Sequence, residues 1–175
     1  MLTSHQQKLV DIWDRHTQAE FAEHNVHETM KTMTDAPHVH NVAVAIGGQG
    51  QQGVHDFYLH CFLPGLPPDT ETELLSRTVG ETQIVDELIF KFTHSIPMPW
   101  ILPGVPPTHK RVEIPLVAII GFKEYKVASE HIYWDQASVL VQIGLLSDTA
   151  LPVKGIESAH QLKKLAVSQS DQTLL

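Results

Sequence analysis

The densest group of polar side chains in the sequence lies in residues 130–136, Glu-His-Ile-Tyr-Trp-Asp-Gln. This segment is typical of the end of a strand, and strand side chains alternate between two faces. One face would then hold an imidazole, a phenol and a carboxylate: His131, Tyr133 and Asp135. Burial in an apolar cavity raises the pKa of a carboxyl group toward the range useful for proton transfer. Asp135 is therefore predicted as a general acid or base; the competing interpretation is that it only caps the segment that follows.

A second set of candidate residues belongs to the strand predicted over residues 82–94. Its apolar face should point inward, with a polar residue at each end, Asp86 and His94. Arg77, on the preceding strand, either holds an anionic substrate group or forms a structural salt bridge. We place Arg77 and Asp86 at the substrate site. Its apolar walls are predicted from four aromatic residues: Trp13, Phe90, Phe92 and Trp100.

The elements that must position these residues come in the order helices, then strands. A capping-box spacing at Thr3 starts a helix that carries Trp13 on its inward side, and Asn25 starts a short helix over residues 26–33. Residues 38–46 are predicted as a strand, residues 47–50 as a glycine turn and residues 51–62 as a third helix. Four strands follow, with breaks short enough to force antiparallel hairpins: residues 71–79, 82–94, 110–122 and 127–135.

The predicted fold class is α+β. About three N-terminal helices pack into a strongly curved antiparallel sheet, which encloses a small-molecule pocket. Residues 1–146 form this domain, and residues 147–175 are a tail with one weak helix over residues 154–165. The proline-rich residues 96–108 are predicted to form a mobile flap over one mouth of the sheet.

Composition excludes several classes of function. With 175 residues, 42% of them hydrophobic, the chain can bury a core without disulfides, and the single Cys61 fits a reducing compartment. A formal net charge of -8 argues against nucleic acid, whose binding depends on cationic contacts to phosphate. The sequence shows no apolar run of the roughly 18 residues that a membrane span needs, and no secretory signal. We expect a cytoplasmic protein whose partner is a small molecule or a second copy of the chain.

Two patterns suggest cofactors but carry little weight. Residues 48–53 match the dinucleotide-binding pattern G-x-G-x-x-G, yet the predicted hairpins downstream do not supply the parallel βαβ unit that this pattern requires. Twelve histidines include His38 and His40, which alternate along a strand, but no H-E-x-x-H motif and no paired cysteines accompany them. We therefore expect neither a metal nor an organic cofactor.

Five stretches resemble the SnoaL-like family of the nuclear-transport-factor-2-like (NTF2-like) superfamily: Ser76-Arg-Thr-Val-Gly80, Val85-Asp-Glu87, Phe90-Lys-Phe-Thr-His94, Val112-Glu-Ile-Pro-Leu116 and Glu130-His-Ile-Tyr-Trp-Asp-Gln136. The resemblance extends from about Trp13 to Leu146. It implies a cone-shaped α+β barrel with a deep pocket, where an aspartate acts as general acid or base. In the polyketide cyclases of the family, this aspartate drives an aldol-type ring closure without metal or organic cofactor. Its position is similar to that of Asp135, and the family histidine is matched by His131 or, on another strand, by His94.

The resemblance also implies a homodimer. Relatives with epoxide hydrolase activity carry an Arg-x-Asp pair on one strand, which is absent here, so a hydrolase is less favoured. The predicted function is a cofactor-free acid–base enzyme, a cyclase, an isomerase or a lactone-converting enzyme, acting on a hydrophobic carbonyl-bearing molecule. Asp135 would move the proton, while a histidine and Tyr133 would polarise the carbonyl or stabilise an enolate. The alternative is a non-catalytic module of the same fold, which binds a ligand or mediates dimerisation.

Overall fold

The first helix begins at the predicted capping box. In the computed structural model, which describes residues 1–172, the Thr3 hydroxyl accepts a hydrogen bond from the Gln6 backbone, and the Gln6 side chain accepts one from the Thr3 backbone. The buried face of this helix contains apolar residues and also two polar ones, His16 and Glu20. The N-terminal helix therefore brings ionisable groups into the interior.

The elements of residues 1–172 include all the predicted helices and strands in the predicted order, together with a strand (Ile46–Gln49) and a helix (Gln136–Gln142) that were not predicted. The helices are α1 (Ser4–Phe21), α2 (Val26–Lys31), α3 (Gly50–Phe57), α4 (Gln136–Gln142) and α5 (Glu157–Gln172), and α3 continues through a π-helical turn (Tyr58–Phe62) and a 3₁₀ turn (Leu63–Gly65). The strands are β1 (Met33–Asn41), β2 (Ile46–Gln49), β3 (Glu71–Val79), β4 (Gln83–Thr93), β5 (Arg111–Lys123) and β6 (Lys126–Trp134). No helix of these residues is long and apolar enough to cross a membrane.

The sheet has the order β2-β1-β6-β5-β4-β3. Its pairings are antiparallel except for β1 with β6, which is parallel. The α+β class is confirmed, whereas the prediction of a wholly antiparallel sheet is wrong at this one pairing. The alternating buried residues of β5 form the floor of the core, against which the N-terminal helices pack.

The chain around Pro37 and the glycines differs from the prediction. The strand begins at Met33 instead of residue 38, and its register with β6 shifts between Met33 and His38, a stretch that contains Pro37. Proline has no backbone N–H to donate to the ladder, which explains the interruption. The predicted glycine turn is the short strand β2, where a Cβ at Gly47 would overlap the backbone of Val39. A turn at residues 42–45 replaces the end of the predicted strand.

The predicted mobile flap is part of the core. Four apolar residues of this segment are 0–2% exposed: Met98, Trp100, Ile101 and Leu102. The indole N–H of Trp100 donates to the Gly65 carbonyl at 3.0 Å, and the side chain of Gln136 donates to the Ile101 carbonyl at 2.9 Å. The prolines limit regular structure in this segment, but its apolar side chains are part of the hydrophobic core. The flap prediction is therefore wrong.

The C-terminal segment packs back on the domain through α5, which is longer than the predicted weak helix. Lys163 forms an ion pair with Glu73 at 2.8 Å, and Ala159 is fully buried. The helix contacts β5, and Glu73 and Glu113 lie on the outer side of the sheet. α5 therefore covers part of the convex face and does not close the cavity.

Candidate functional site

A cavity of about 190 Å³ lies between α1, the π-helical turn and the concave face of the sheet. Most of its lining is aromatic or aliphatic, and eight lining residues are polar: Thr17, Glu20, Asn41, Tyr58, Thr72, Arg77, Asp86 and Glu130. The exposed lining residues, Thr72 and Leu74, lie on the edge strand β3, so the cavity opens beside this strand. A few polar groups in an apolar cavity are typical of small-molecule sites.

A β-bulge in β6 turns Glu130 into this cavity. Phe122 of β5 pairs with Val127, but the neighbouring Gly121 pairs with Ser129, so β6 contains one extra residue, Ala128. Val127 points inward, and the bulge makes the next inward residue Glu130 instead of Ser129. The following inward positions are occupied by Ile132 and Trp134, which pack against the core.

Glu130 belongs to a buried polar cluster of four side chains: His16, Glu20, Tyr58 and Glu130. The Nε2 atom of His16 lies 3.1 Å from Glu20 Oε1 and 3.2 Å from Glu130 Oε1. The Tyr58 hydroxyl donates to Glu130 Oε1 at 2.8 Å and lies 3.2 Å from His16 Nε2. The two carboxylates and the phenol line the cavity, while the imidazole lies behind them. The cluster combines two carboxyl groups and one imidazole whose side chains are no more than 5% exposed.

The hydrogen bonds of His16 indicate that both ring nitrogens carry a proton. The Thr32 hydroxyl donates to the Thr29 carbonyl at 2.6 Å, so it must accept from His16 Nδ1, which lies 2.6 Å away. The other nitrogen faces two carboxylate oxygens. Burial favours the neutral ring, but the charges of Glu20 and Glu130 outweigh it and raise the pKa of His16 to about 10. His16 is therefore an imidazolium at neutral pH.

Burial also shifts Glu20 and Tyr58 toward their protonated forms. Removal from water raises the pKa of Glu20, although the His16 charge opposes this effect. Burial and the two neighbouring carboxylates raise the pKa of Tyr58 above its ordinary value, so it remains a hydrogen-bond donor. The cluster can thus keep a proton on a carboxyl group closer to neutral pH than an exposed glutamate can.

His16, Glu20 and Glu130 are also the only three metal-ligating side chains, among residues 1–167, whose ligand atoms all lie within 4.8 Å of one another. Metal ligation needs a lone pair on the imidazole, and both nitrogens of His16 are committed as donors. The arrangement therefore favours a shared proton over a metal ion at this position.

A second polar group of the cavity surrounds Arg77. Leu74 of β3 pairs with Leu88, but Ser76 pairs with Glu87, so Leu75 is the extra residue of another bulge. This bulge turns Arg77 inward, where its guanidinium binds both oxygens of Asp86 at 2.7 and 2.8 Å.

Further hydrogen bonds saturate this ion pair. Asp86 also accepts from the Trp13 indole at 2.8 Å, and Arg77 donates to Asp14 at 2.7 Å. Its bonds to Asp86, ahead of those to Asp14, raise the pKa of Arg77 further. With two carboxylates around one guanidinium, the group is better suited to closing one end of the cavity than to binding an anion.

Comparisons with known proteins identify the fold. No protein-family model matches the sequence, and a search of curated proteins finds no match. Among solved structures, a proposed SnoaL-like polyketide cyclase from Jannaschia sp. CCS1 superposes with a TM-score of 0.69 at 16% identity, over 84% of this chain and 99% of that one. The chain has the NTF2-like fold. At this identity the similarity establishes the fold, and the resemblance predicted from the sequence is confirmed at that level.

Two further structures with the NTF2-like fold are similar to the chain. AclR from Streptomyces galilaeus, a proposed hydroxylase, matches with a TM-score of 0.63 at 18% identity, over 93% of this chain and 99% of that one. SalBIII, an epoxide hydrolase/cyclase-like enzyme with a role in pyran ring formation in the polyether salinomycin, matches with a TM-score of 0.56 at 16% identity. That match covers 74% of this chain and 92% of SalBIII. The chain therefore spans nearly the full length of both proteins.

The NTF2-like cone does not bring Asp135 into its cavity. Asp135 is exposed and caps α4, accepting a hydrogen bond from the Ala137 backbone at 2.9 Å. Tyr133 is exposed and His131 lies on the outer face of the sheet. The prediction that this face of β6 points inward is wrong: the opposite face, with Glu130, Ile132 and Trp134, faces the cavity and the core.

Of the six residues predicted to bind substrate, five line the cavity: Trp13, Arg77, Asp86, Phe90 and Trp100. Phe92 is fully buried in the core and does not line it. His94 directly follows β4 and is buried, as predicted, but it lies at the opposite end of the strand from Asp86. There the Thr108 backbone donates a hydrogen bond to His94 Nδ1 at 3.3 Å. Its Nε2 is the one buried side-chain polar atom of residues 1–167 without a hydrogen-bond partner.

Sequence reasoning missed the residues of the buried cluster, although a signal for two of them was present. His16 and Glu20 follow Leu9 and Trp13 at helical spacing, so the periodic pattern already places two ionisable residues on the buried face of α1. Tyr58 had no comparable signal. Glu130 was assigned to the outer face through strict alternation.

The buried imidazolium predicts a loss of stability at alkaline pH. The pKa of His16 is about 10 when folded, against 6.5 for an ordinary histidine, so its contribution is complete below pH 6.5 and lost as the pH rises through 10. The difference between these two pKa values corresponds to roughly 5 kcal/mol of folding stability at most. We expect the free energy of unfolding in urea to fall by a few kcal/mol from pH 6.5 to 10, and expect His16→Gln to remove most of this fall. An equal fall in both proteins would contradict the assignment.

Proposed function

We propose that the chain is a cofactor-free acid–base enzyme, and that its catalytic carboxyl groups are Glu130 and Glu20. The observation that carries the proposal is the pair of cavity-lining carboxyl groups joined through one buried imidazole. Two carboxyl groups in unequal environments can act as acid and base at the same pH. This assignment replaces Asp135, which lies outside the cavity.

The proposed reaction begins with enolisation of a carbonyl compound. Glu130, which accepts hydrogen bonds from Tyr58 and His16, takes a proton from the carbon next to the carbonyl. Glu20, whose pKa is raised by burial, returns a proton to the carbonyl oxygen or to another carbon. The electron pair of the C–H bond moves into the enol, so protons and electrons balance without a redox partner. The enol can then be reprotonated elsewhere, which is isomerisation, or attack a second carbonyl, which is aldol-type cyclisation.

The size and the lining of the cavity define the substrate class. Its volume of about 190 Å³ is below the roughly 300–1,000 Å³ of drug-sized sites, which favours a compact molecule. Apolar walls favour a mainly hydrophobic substrate. Asn41 also lines the cavity and uses one amide hydrogen on the Ile46 carbonyl at 3.1 Å, which leaves amide groups to orient the substrate carbonyl. Cyclase-like enzymes among the similar structures are consistent with this class.

Hydrolase chemistry is the less favoured enzymatic reaction. Arg77 and Asp86 do form a pair in the cavity, but it joins two strands, and both side chains are held by further partners, Asp14 and Trp13. Asp86 accepts hydrogen bonds from two nitrogens of Arg77 and from the Trp13 indole, and a carboxylate with three such donors is a weak base for activating water. We therefore assign the pair of Arg77 and Asp86 a structural role, in which it closes one end of the cavity.

A specific observation favours a non-catalytic binding module as the second candidate. His16, Tyr58 and Glu130 satisfy one another by hydrogen bonds within the cluster, as structural polar networks in protein cores also do. In that case the cavity binds a small apolar molecule and leaves it chemically unchanged.

Proton exchange in D₂O separates these two functions. Small ketones, β-diketones and lactones would be screened by NMR for binding and for loss of the signal from protons next to the carbonyl. An enzyme of the proposed kind catalyses exchange on at least some compounds that bind, even where it does not complete a natural reaction. Binding without any exchange above the buffer rate, across the set, would support the binding module and overturn the enzyme proposal.

We also propose a homodimer that forms through the outer face of the sheet. Tyr133 is 41% exposed on this face, beside the half-buried Val117, and α5 covers only part of it. Sedimentation at micromolar concentration should give twice the chain mass of 19.6 kDa. A charge placed in the interface by Tyr133→Glu should shift the equilibrium to monomer, while Tyr125→Glu, in the β5–β6 turn, should not. Sedimentation of the wild type as monomer alone would contradict the dimer.

A further inference from the structure

Three histidines meet on the convex face of the sheet, opposite the cavity. His38 and His40 lie on β1, and His131 lies on the neighbouring parallel strand β6, in register with His40. The bulge that turns Glu130 inward also turns His131 outward. This histidine group is therefore separate from the acid–base cluster, on the other side of the sheet.

The imidazoles of His38 and His131 are already close enough for both to bind one metal ion. The Nε2 atoms of His38 and His131 are 2.9 Å apart, and their ring centroids are 5.0 Å apart. Two imidazole nitrogens bound to one tetrahedral zinc at about 2.0–2.1 Å are separated by roughly 3.3 Å. A movement of a few tenths of an ångström would therefore convert this contact into a two-histidine site.

His40 can supply a third ligand. His40 is directly opposite His131 in the register of β1 and β6, and all three histidines line the same groove. They do not converge on one point, since the only group of three within 4.8 Å among residues 1–167 is the buried one. The His40 side chain is exposed, so a change of rotamer is not opposed by packing.

The surroundings of the histidines favour a bound cation. They line a shallow groove beside the short strand β2, where Gln49 is opposite His38 and Gly47 is opposite His40. Neither of these two positions on β2 carries a lysine or an arginine that would repel a cation. The net charge of -8 attracts cations to the whole chain.

We propose that His38 and His131, joined by His40, bind a divalent transition-metal ion on the outer face of the sheet. Imidazole nitrogens select zinc, copper or nickel over magnesium and calcium, which prefer oxygen ligands. Three histidines leave a fourth tetrahedral position for water or another ligand. The site is independent of the proposed enzymatic function, but it lies on the same face of the sheet as the proposed dimer interface, since His131 is two residues from Tyr133 on β6.

Calorimetric titration of the full, tag-free chain with zinc chloride tests the site. We expect one zinc per chain. His131→Gln and His38→Gln should each weaken binding by at least about 10- to 100-fold. The matched control is His27→Gln, because His27 is an exposed histidine away from this face, and it should bind zinc as the wild type does. Glu130→Gln should also retain the site, because Glu130 faces the cavity.

Three outcomes would overturn the proposal. The wild type does not bind zinc below millimolar concentration; His38→Gln and His131→Gln bind as tightly as the wild type; or Glu130→Gln abolishes binding, which would move the metal to the buried cluster. An NMR titration of the imidazole signals with nickel provides a second readout if a variant folds poorly. In the wild type, nickel should broaden His38 and His131 first and leave His27 unchanged.

Discussion

Glu130→Gln is expected to slow proton exchange on an accepted carbonyl compound by about 100- to 10,000-fold, the usual contribution of a general acid or base. Glutamine keeps the size of the side chain and can still accept the hydrogen bond from Tyr58, but it cannot take a proton. The rate of signal loss in D₂O, measured by NMR at saturating compound, gives the effect directly. Glu20→Gln should slow exchange as well, because it removes the group that returns the proton.

The matched control is Asp135→Asn, which changes the residue that sequence alone suggested. Asparagine caps helices as well as aspartate does, so α4 should remain intact and exchange should stay within a few fold of the wild type. Circular dichroism of each variant would show whether it is folded. A loss of exchange in Asp135→Asn equal to that in Glu130→Gln would return the catalytic role to the outer face and contradict the account.

Arg77→Ala is expected to lower the free energy of unfolding by about 3–5 kcal/mol, the cost of breaking a buried ion pair from one side. Asp86 would remain in the interior with the Trp13 indole as its principal donor. The Asp86 side chain is only 4% exposed, so its carboxylate would lose its main charge partner in a largely buried position. Urea denaturation of both proteins at pH 7 measures the difference.

Arg111→Ala provides the comparison for this effect. Arg111 pairs with Asp69 at 2.9 Å, but both side chains are more than one-third exposed, and such pairs contribute roughly 0–1 kcal/mol. Equal losses in Arg77→Ala and Arg111→Ala would mean that the Arg77 pair is not isolated from solvent. The proposed role of Arg77 in closing the end of the cavity would then be wrong.

The two β-bulges mark the limit of what could be predicted from the sequence. The bounds of β3 and the approximate bounds of β4, β5 and β6 were predicted, because their apolar periodicity is strong and their turns are short. A bulge inserts one residue without an obvious signal, and beyond it every side chain changes face. The alternation of residues 130–135 was predicted correctly, but the face with His131, Tyr133 and Asp135 was taken as the inward one, and the structure has Glu130 on the inward face.

Side-chain chemistry could have corrected this assignment. One face of β6 contains Ile132 and Trp134, and the other contains His131 and Tyr133. Transfer free energy alone favours burying the face with Ile132 and Trp134 over burying the face with His131 and Tyr133, because more apolar surface is removed from water. By contrast, β4 has no bulge in its pairing with β5, and the predicted inward position of Asp86 is confirmed.

The buried cluster could not be assembled from local patterns. Its members come from α1, the π-helical turn after α3, and β6, and the contact between His16 and Glu130 spans more than a hundred residues. The sequence indicates which residues of α1 are buried but not what they meet. The segment of residues 96–108 shows a similar limit, since proline content predicts irregular backbone and does not predict exposure.

The central claim is that burial in the cavity shifts the carboxyl group of Glu20 toward its protonated form, as an acid–base role requires. The most direct measurement is an NMR pH titration of the ¹³C-labelled glutamate carboxyl groups, with Glu20→Gln and Glu130→Gln used for assignment. The account predicts that Glu20 titrates above 4.5, its ordinary value, because burial opposes its charge. Titration of Glu20 at or below 4.5 would show a carboxylate fully stabilised by His16 and would contradict an acid–base role for the cluster.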